Sequence, residues 1–340
     1  MTRKILYGVQ GTGQGHISRA RSISHAFRDY DVDVTWLFSG RPKDKFFDME
    51  PFGNFKHRKG LTMVTEAGKM KYRKTALGVS PATFFKDIRS LDLDPYELIV
   101  CDYEPVTSWA CKARGREIIG IGHQYAFGKN TPTSGDTPMS RLVMQQFAPV
   151  DLPVGLHWAA FDESVLPPIL DLPDIDVTAI ADHILVYLPF EDQNVTTTWL
   201  QGFSDQTFIQ YSSEVSDEVQ GNVARRKANI HGFKRDLAAA KGVICNTGFE
   251  LISECLHWRK PVLTRPLAKQ MEQLSNAAAL EQLGYATTMQ LLETQAVRRW
   301  FDAMPEAPDI NFKDVAGALA EWLARGASRP VAELSRKLWS

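Results

Sequence analysis

At 340 residues the chain exceeds the size at which a single core usually stops growing, so two domains of roughly 150 residues are expected. Apolar residues make up 44% and charged residues 23%, both in the range of a soluble globular protein. The formal net charge of −1 argues against a dedicated nucleic-acid binder, which carries a basic excess.

In chain order, the first half holds strand candidates "KILYGVQ" (4–10), "VTWLFSG" (34–40), "FKHRKGL" (55–61), "LIVCDYE" (98–104) and "EIIGIGHQ" (117–124). Between the first two, "SRARSISHAFRD" (18–29) places Ala20, Ile23, Ala26 and Phe27 on one helical face, with Ser18 as a candidate cap. "SPATFFKDIRSL" (80–91) reads as a helix capped by Ser80 with Pro81 at its first position. "DLDPY" (92–96) reads as a turn. The proline- and acid-rich "LPPILDLPDID" (166–176) breaks the pattern and is the candidate linker. Alternation resumes with strand candidates "HILVYLP" (183–189), "QTFIQYS" (206–212), "NIHGF" (229–233), "GVICNT" (242–247) and "PVLTRPL" (261–267). Helices are expected at "FELISECLHW" (249–258) and "QLSNAAALEQL" (273–283). Short strands alternating with helices imply an α/β fold of two Rossmann-like domains facing each other across a cleft. The expected division is 1–165, a linker at 166–180, 181–325, and a C-terminal helix at 326–340 that packs back on the first domain.

Cys101, Cys111, Cys245 and Cys255 form no CxxC pair and read as buried free thiols in a reducing compartment. No signal peptide is evident, and no apolar run approaches the roughly 20 residues of a membrane span, so a cytoplasmic location is expected. "KMKYRKT" (69–75) and "ARRKA" (224–228) are basic runs. Each is read as solvated surface charge, with a local anionic contact as the alternative.

"GVQGTGQGHISRA" (8–20) raises the first chemical question. A dinucleotide fingerprint needs a third glycine where His16 stands, and an acid at the end of the second strand, which closes Phe38-Ser39-Gly40 instead. A P-loop is excluded because no lysine-serine or lysine-threonine pair follows. What remains is a strand, a bare glycine loop and a helix with a histidine at its tip. Such a histidine either serves as a general base or is incidental to a tight turn.

The segment 242–287 narrows the choice. A strand ends at Asn246-Thr247-Gly248, a helix follows, and Glu254 lies about two turns into it. Helix-terminal amides suit a diphosphate, and a carboxylate can accept both hydroxyls of a ribose. "NTGF", "SECLHWRKPVL" and "EQLSNAAALEQLG", together with "GTGQGHISRA" over 200 residues earlier, resemble the GT-B glycosyltransferases. The pattern is most similar to the inverting nucleotide-sugar families, the lipid II-forming N-acetylglucosaminyltransferases in particular.

That resemblance implies roles residue by residue. Glu254 would bind the ribose, and Thr247, Gly248 and Phe249 would cradle the diphosphate through backbone amides. Phe233 and Lys234 would form the base loop, and Gly13 would line the donor side. Gln273 would touch the donor sugar, with Glu272 beside it, and Asn276 would order the preceding loop. His16 would be the general base, and Asp102 its partner or a strand-end cap. His123 and Gln124 would line the acceptor side or be structural. "LPFEDQN" departs from the family, because Glu191 and Asp192 stand where a phosphate loop is expected.

The implied activity is inverting transfer of a sugar from a nucleotide sugar, UDP-linked by expectation, to a hydroxyl of a glycan or lipid-linked acceptor. No metal or cofactor is expected, since the nucleotide sugar is itself a substrate. Peripheral membrane contact is a further expectation, through "GLHWAAFDESVLPP" (155–168) or the basic run at 69–75; the alternative for the apolar stretch is packing at an interdomain seam. A nucleotide-sugar hydrolase or 2-epimerase on the same fold is the enzymatic alternative. A non-catalytic nucleotide-sugar-binding protein is the alternative of another class.

Overall fold

A computed structural model describes residues 2–61, 65–66, 69–70, 80–128, 130–173 and 180–340. The first sheet is built from β1 (Arg3–Gln10), β2 (Val32–Ser39) and β3 (Lys56–His57), while β4 (Thr65–Glu66) and β5 (Lys69–Met70) form a separate antiparallel pair. It continues with β6 (Leu98–Asp102), β7 (Ile119–Gly122), β8 (Leu152–Leu156) and β9 (Val165–Leu166). The order is β3-β2-β1-β6-β7-β8-β9, parallel throughout. The chain therefore runs outward from β1 in one direction, then returns to the other side of β1 with β6. Ligands of such sheets bind beyond the strand ends at that reversal, and here it sets Asp102 beside Val9, one residue before the end of β1.

The second sheet repeats the plan with β10 (Ile184–Tyr187), β11 (Phe208–Ser212), β12 (Glu218–Gln220), β13 (Val223–Lys227), β14 (Gly242–Asn246), β15 (Val262–Arg265) and β16 (Thr287–Thr288). Its order is β12-β13-β11-β10-β14-β15-β16, with only β12 antiparallel. The reversal falls at β10 and β14. Ile184, Leu185 and Val186 of β10, and Val243, Ile244 and Cys245 of β14, are fully buried. Such continuous apolar runs are what a parallel sheet covered on both faces demands.

The described helices are α1 (Gln14–Ala26), α2 (Pro81–Ser90), α3 (Pro105–Arg114), α4 (Pro138–Phe147), α5 (Gln193–Gln201), α6 (Ile230–Ala239), α7 (Phe249–His257), α8 (Met271–Leu283), α9 (Thr294–Ala303), α10 (Val315–Ala324) and α11 (Val331–Trp339). None is long and apolar enough to cross a membrane. Ile17, Ala20 and Ile23 form the buried face of α1, and α10 lies against it. Ser80 caps α2 by accepting from the Thr83 amide at 3.3 Å.

Several expectations need correction. The helix after the glycine loop starts at Gln14, not Ser18, because the loop between β1 and α1 is only Gly11 to Gly13. Ser18 is therefore one turn inside, and its hydroxyl donates to Asp171 at 2.8 Å. "NIHGF" is no strand: Asn229 caps α6 by accepting from the Gly232 amide at 2.7 Å, so Ile230 to Phe233 are helical. "ARRKA" is the core of β13, where Arg225 pairs with Glu218 at 2.8 Å across the edge. The expected 166–180 linker begins within β9, at Leu166, and residues 174–179 lie outside those described. The basic run 69–75 also lies outside them, apart from the backbone of Lys69–Met70. Finally, α10 falls before the expected boundary at 325 yet sits on the first half, where Ala324 O accepts from Arg3 Nε at 3.0 Å.

Candidate active site at the seam of the two sheets

Each sheet presents a strand end followed at once by a helix start. On the first half these are Gln10 of β1 and, after three residues, α1; on the second they are Asn246 of β14 and α7. The two helix starts meet. A Cβ on Gly15, in the first turn of α1, would lie 2.2 Å from Oε2 of Glu250 in the first turn of α7. Gly15 thus permits the close approach of the halves. By contrast, a Cβ on Gly13 or Gly248 would meet nothing within 4 Å, so both face open space.

His16 sits in the first turn of α1 with its side chain 14% exposed. Its Nδ1 lies 2.8 Å from Oδ1 of Asp102, the last residue of β6, which is 2% exposed. Arg19, one turn further along α1 and also 2% exposed, grips the same carboxylate with two nitrogens. Its Nε donates to Oδ2 at 3.0 Å and its Nη2 to Oδ1 at 2.7 Å. Burial opposes ionisation of Asp102, but the charges of Arg19 and His16 and their hydrogen bonds outweigh it and hold the carboxyl below its ordinary value. The third nitrogen of Arg19, Nη1, pairs with Glu250 of the second half.

Facing this cluster is the start of α7. Its cap residue, Gly248, offers no side chain, and the amides of Phe249, Glu250 and Leu251 have no intrahelical acceptor. Such a helix start attracts anions. The Gly248 amide is excluded from this set, correcting the expectation, because it already donates to Asn246 O at 2.8 Å. Thr247 is fully buried, with its hydroxyl 2.9 Å from that of Thr264.

The structure also reassigns residues expected on the acceptor side and around the sugar. His123 is fully buried and stacks on the Phe249 ring, centroids 3.9 Å apart and 6° from parallel. Its Nδ1 lies 2.9 Å from Leu156 O and its Nε2 2.7 Å from Oδ1 of Asn276. Both nitrogens are engaged, so His123 is a seam residue and not a substrate contact. Asn276 reaches from α8 to His123 and to Thr247 O, at 3.1 Å, instead of ordering the loop before it. That ordering belongs to Gln273, which is 6% exposed and whose Oε1 accepts from the Leu267 amide at 3.0 Å. Gln124 Nε2 donates to Glu272 at 3.2 Å, while its buried Oε1 has no partner among the described residues.

Nor do Phe233 and Lys234 form a loop. Both lie in α6, where the Phe233 amide is bonded to Asn229 O and its ring packs on Tyr187 and Tyr211. Lys234 and Glu254, with side chains 8% and 5% exposed, form an ion pair. Burial pushes the Glu254 carboxyl up from its ordinary value, and the Lys234 charge counters this in part. Lys234 borders a cavity of about 670 Å³, lined also by Arg21, His25, Asp171 and His231, between α1 and the start of α6. The expected conflict at "LPFEDQN" is absent. Glu191 is paired with Arg265, and Asp192 caps α5 by accepting from the Asn194 and Val195 amides at 2.9 Å.

"GLHWAAFDESVLPP" packs the seam. Trp158 is 1% exposed and its Nε1 donates to Ser253 of α7 at 2.8 Å. Sequence reading missed Arg19, Glu250 and this tryptophan bridge. Arg19 follows His16 by three residues, a spacing that puts both on one helical face; that signal was present for Arg19 alone.

The profile of glycosyl transferase family 1 matches residues 3–305. No curated protein matches the chain. Among solved structures it is similar to the glycosyltransferase SnogD from Streptomyces nogalater, with 16% identity, 99% of each chain covered and a TM-score of 0.54. Phytolacca americana UGT2, solved with UDP-2fluoro-glucose and pterostilbene, aligns over 100% of this chain and 95% of its own, with 11% identity and a TM-score of 0.60. Acinetobacter baumannii MurG aligns over 98% and 99%, with 13% identity and a TM-score of 0.53. These are structures of the GT-B fold, and the two facing parallel sheets share it.

Proposed function

Because the chain belongs to glycosyl transferase family 1 and is a glycosyltransferase, we propose that it transfers a sugar from a nucleotide sugar, UDP-linked in the first instance, to an acceptor hydroxyl with inversion. His16 Nε2 takes the hydroxyl proton as the acceptor oxygen attacks the anomeric carbon. The bond from that carbon to the diphosphate oxygen breaks, and the negative charge moves onto the leaving diphosphate. Amides of Phe249, Glu250 and Leu251 receive that charge. Asp102 orients the imidazole and stabilises the imidazolium, as a buried carboxylate does behind a catalytic histidine. The ribose hydroxyls meet Glu254 as half of an ion pair with Lys234. The bound UDP-sugar of the Phytolacca enzyme supports the donor class.

One observation carries this reading: the 2.8 Å contact of His16 with Asp102, placed opposite an uncapped helix start. A panel of UDP-sugars, tested with cell-extract acceptors and read by mass analysis and NMR of the anomeric product, tests it. His16→Ala is expected to bind UDP as the native protein does and to lose transfer by about 10²- to 10⁴-fold. Undiminished transfer by this variant would remove the base assignment. Release of free sugar without acceptor, at the rate of transfer, would favour hydrolysis instead.

A further inference from the structure

Arg19 pairs with two carboxylates that belong to different halves of the molecule, and it does so while almost fully buried. Its planar fork matches Asp102 in two parallel bonds, a geometry that a lysine cannot reproduce. This fixes the plane of the carboxylate and leaves Oδ1 facing His16. At Nδ1 there is then a competition. Asp102 Oδ1, at 2.8 Å, requires a proton on Nδ1, whereas Arg19 Nη2, at 2.7 Å, offers a donor to a bare Nδ1. Only the first arrangement leaves Nε2 free of a proton. Nη2 carries two N–H groups, one of which donates to Oδ1, so the choice falls to the ionised carboxylate: facing Nδ1 at 2.8 Å, it favours a proton there through a charge-assisted bond.

The charges point the same way. With His16 neutral, the group of Asp102, Arg19 and Glu250 carries one net negative charge, and protonation of His16 brings it to zero. Glu250 alone would place a carboxylate at the helix start where an anion is expected. Arg19 neutralises it there.

We propose that Arg19 is a positioning residue with two separable effects: it holds the His16 proton on Nδ1 through Asp102, and it neutralises Glu250 at the start of α7 so that a diphosphate can approach. The proposal rests on the reading of His16 as the base, but its first effect is measurable without any substrate.

The test uses the full-length protein labelled with ¹⁵N-histidine, with His16→Ala identifying the His16 signals. The native spectrum is expected to show His16 protonated at Nδ1, and Arg19→Gln to shift it toward the Nε2–H form. A native Nε2–H form overturns the proposal, as does an Arg19→Gln spectrum unchanged from native. Kinetics use the best donor among UDP-glucose, UDP-galactose and UDP-N-acetylglucosamine. A displaced base costs on the order of 10²-fold, so both Arg19→Gln and Arg19→Lys are expected to lose about that much in kcat, normalised to folded protein by circular dichroism. UDP binding, measured by calorimetry, is expected to weaken in Arg19→Gln. It should return in Arg19→Gln/Glu250→Gln while kcat stays low. Recovery of kcat in the double variant, or native kcat in Arg19→Lys, overturns the role at Asp102. If His16→Ala transfers sugar normally, the base reading fails, and the histidine spectra still decide whether Arg19 sets the tautomer.

Discussion

Lys234 and Glu254 show what an ion pair costs once it leaves water. Both are nearly buried, and removing one partner of such a pair typically destabilises by about 3–5 kcal/mol because the other charge is left unpaired. Lys234→Met is therefore expected to lose about that much stability at neutral pH. The pH dependence has a definite sign. A carboxyl whose value is raised by burial holds its proton longer in the folded than in the unfolded chain, so stability falls as pH rises above the unfolded value of about 4.3. Without Lys234 the carboxyl is raised further, and the deficit should shrink toward pH 4 and widen toward pH 8. Urea titrations across that range check it; a deficit independent of pH would show that lost packing, not charge, is responsible. Reading the sequence paired His16 with Asp102 as one alternative, through the family resemblance of the glycine loop, and the two lie 2.8 Å apart. It could not pair Lys234 with Glu254 or give Arg19 two carboxylates, since those partners lie on elements whose packing no local pattern specifies.

At the scale of elements, the facing starts of α1 and α7 decide what each glycine tolerates. Gly15→Ala gains helix propensity of about 1 kcal/mol, but its methyl would strike the Glu250 carboxylate. Little net change in stability is expected, together with weaker UDP binding and native kcat, because Glu250 leaves Arg19 while Arg19 keeps Asp102. Gly248→Ala has room for its methyl and an ordinary φ of −79°. It is expected to cost at most about 1 kcal/mol, the scale of an N-cap change, and to weaken UDP binding by projecting into the open space before α7. Melting temperature, UDP calorimetry and kcat check both; unchanged UDP affinity in Gly248→Ala would remove the diphosphate from that helix start. Elements with strong periodicity or a clear cap, such as α2, α7 and α8, were legible. "NIHGF" was misread because five residues carry too little period to tell a strand from a helix start, although Asn229 is a good cap residue. The short strands β9, β12 and β16 exist only through their neighbours, and nothing local announces them.

At the scale of the whole molecule, alternation of strands and helices was enough to show two facing α/β halves, because each βαβ unit is written in a contiguous stretch. How the chain closes is a different kind of information. After β16 it leaves the second sheet, and α10 and α11 return to the first half. Ser335 Oγ and Trp339 Nε1 both donate to Val165 O at 2.8 Å, and Trp322 Nε1 donates to Arg329 O at 2.9 Å. Val331 and Leu338 of α11 are buried in the same core as β1 and α1. Each such side chain contributes about 1.5–3 kcal/mol by leaving water. Ending the chain after Gly326 is therefore expected to remove about 3–6 kcal/mol, a large part of the roughly 5–15 kcal/mol by which domains are stable. The loss should fall on the first half, since the second sheet keeps all its strands. Calorimetry of the shortened protein should then show an earlier transition split from a later one. A single transition at the native temperature would mean that α11 only covers a surface already stable without it.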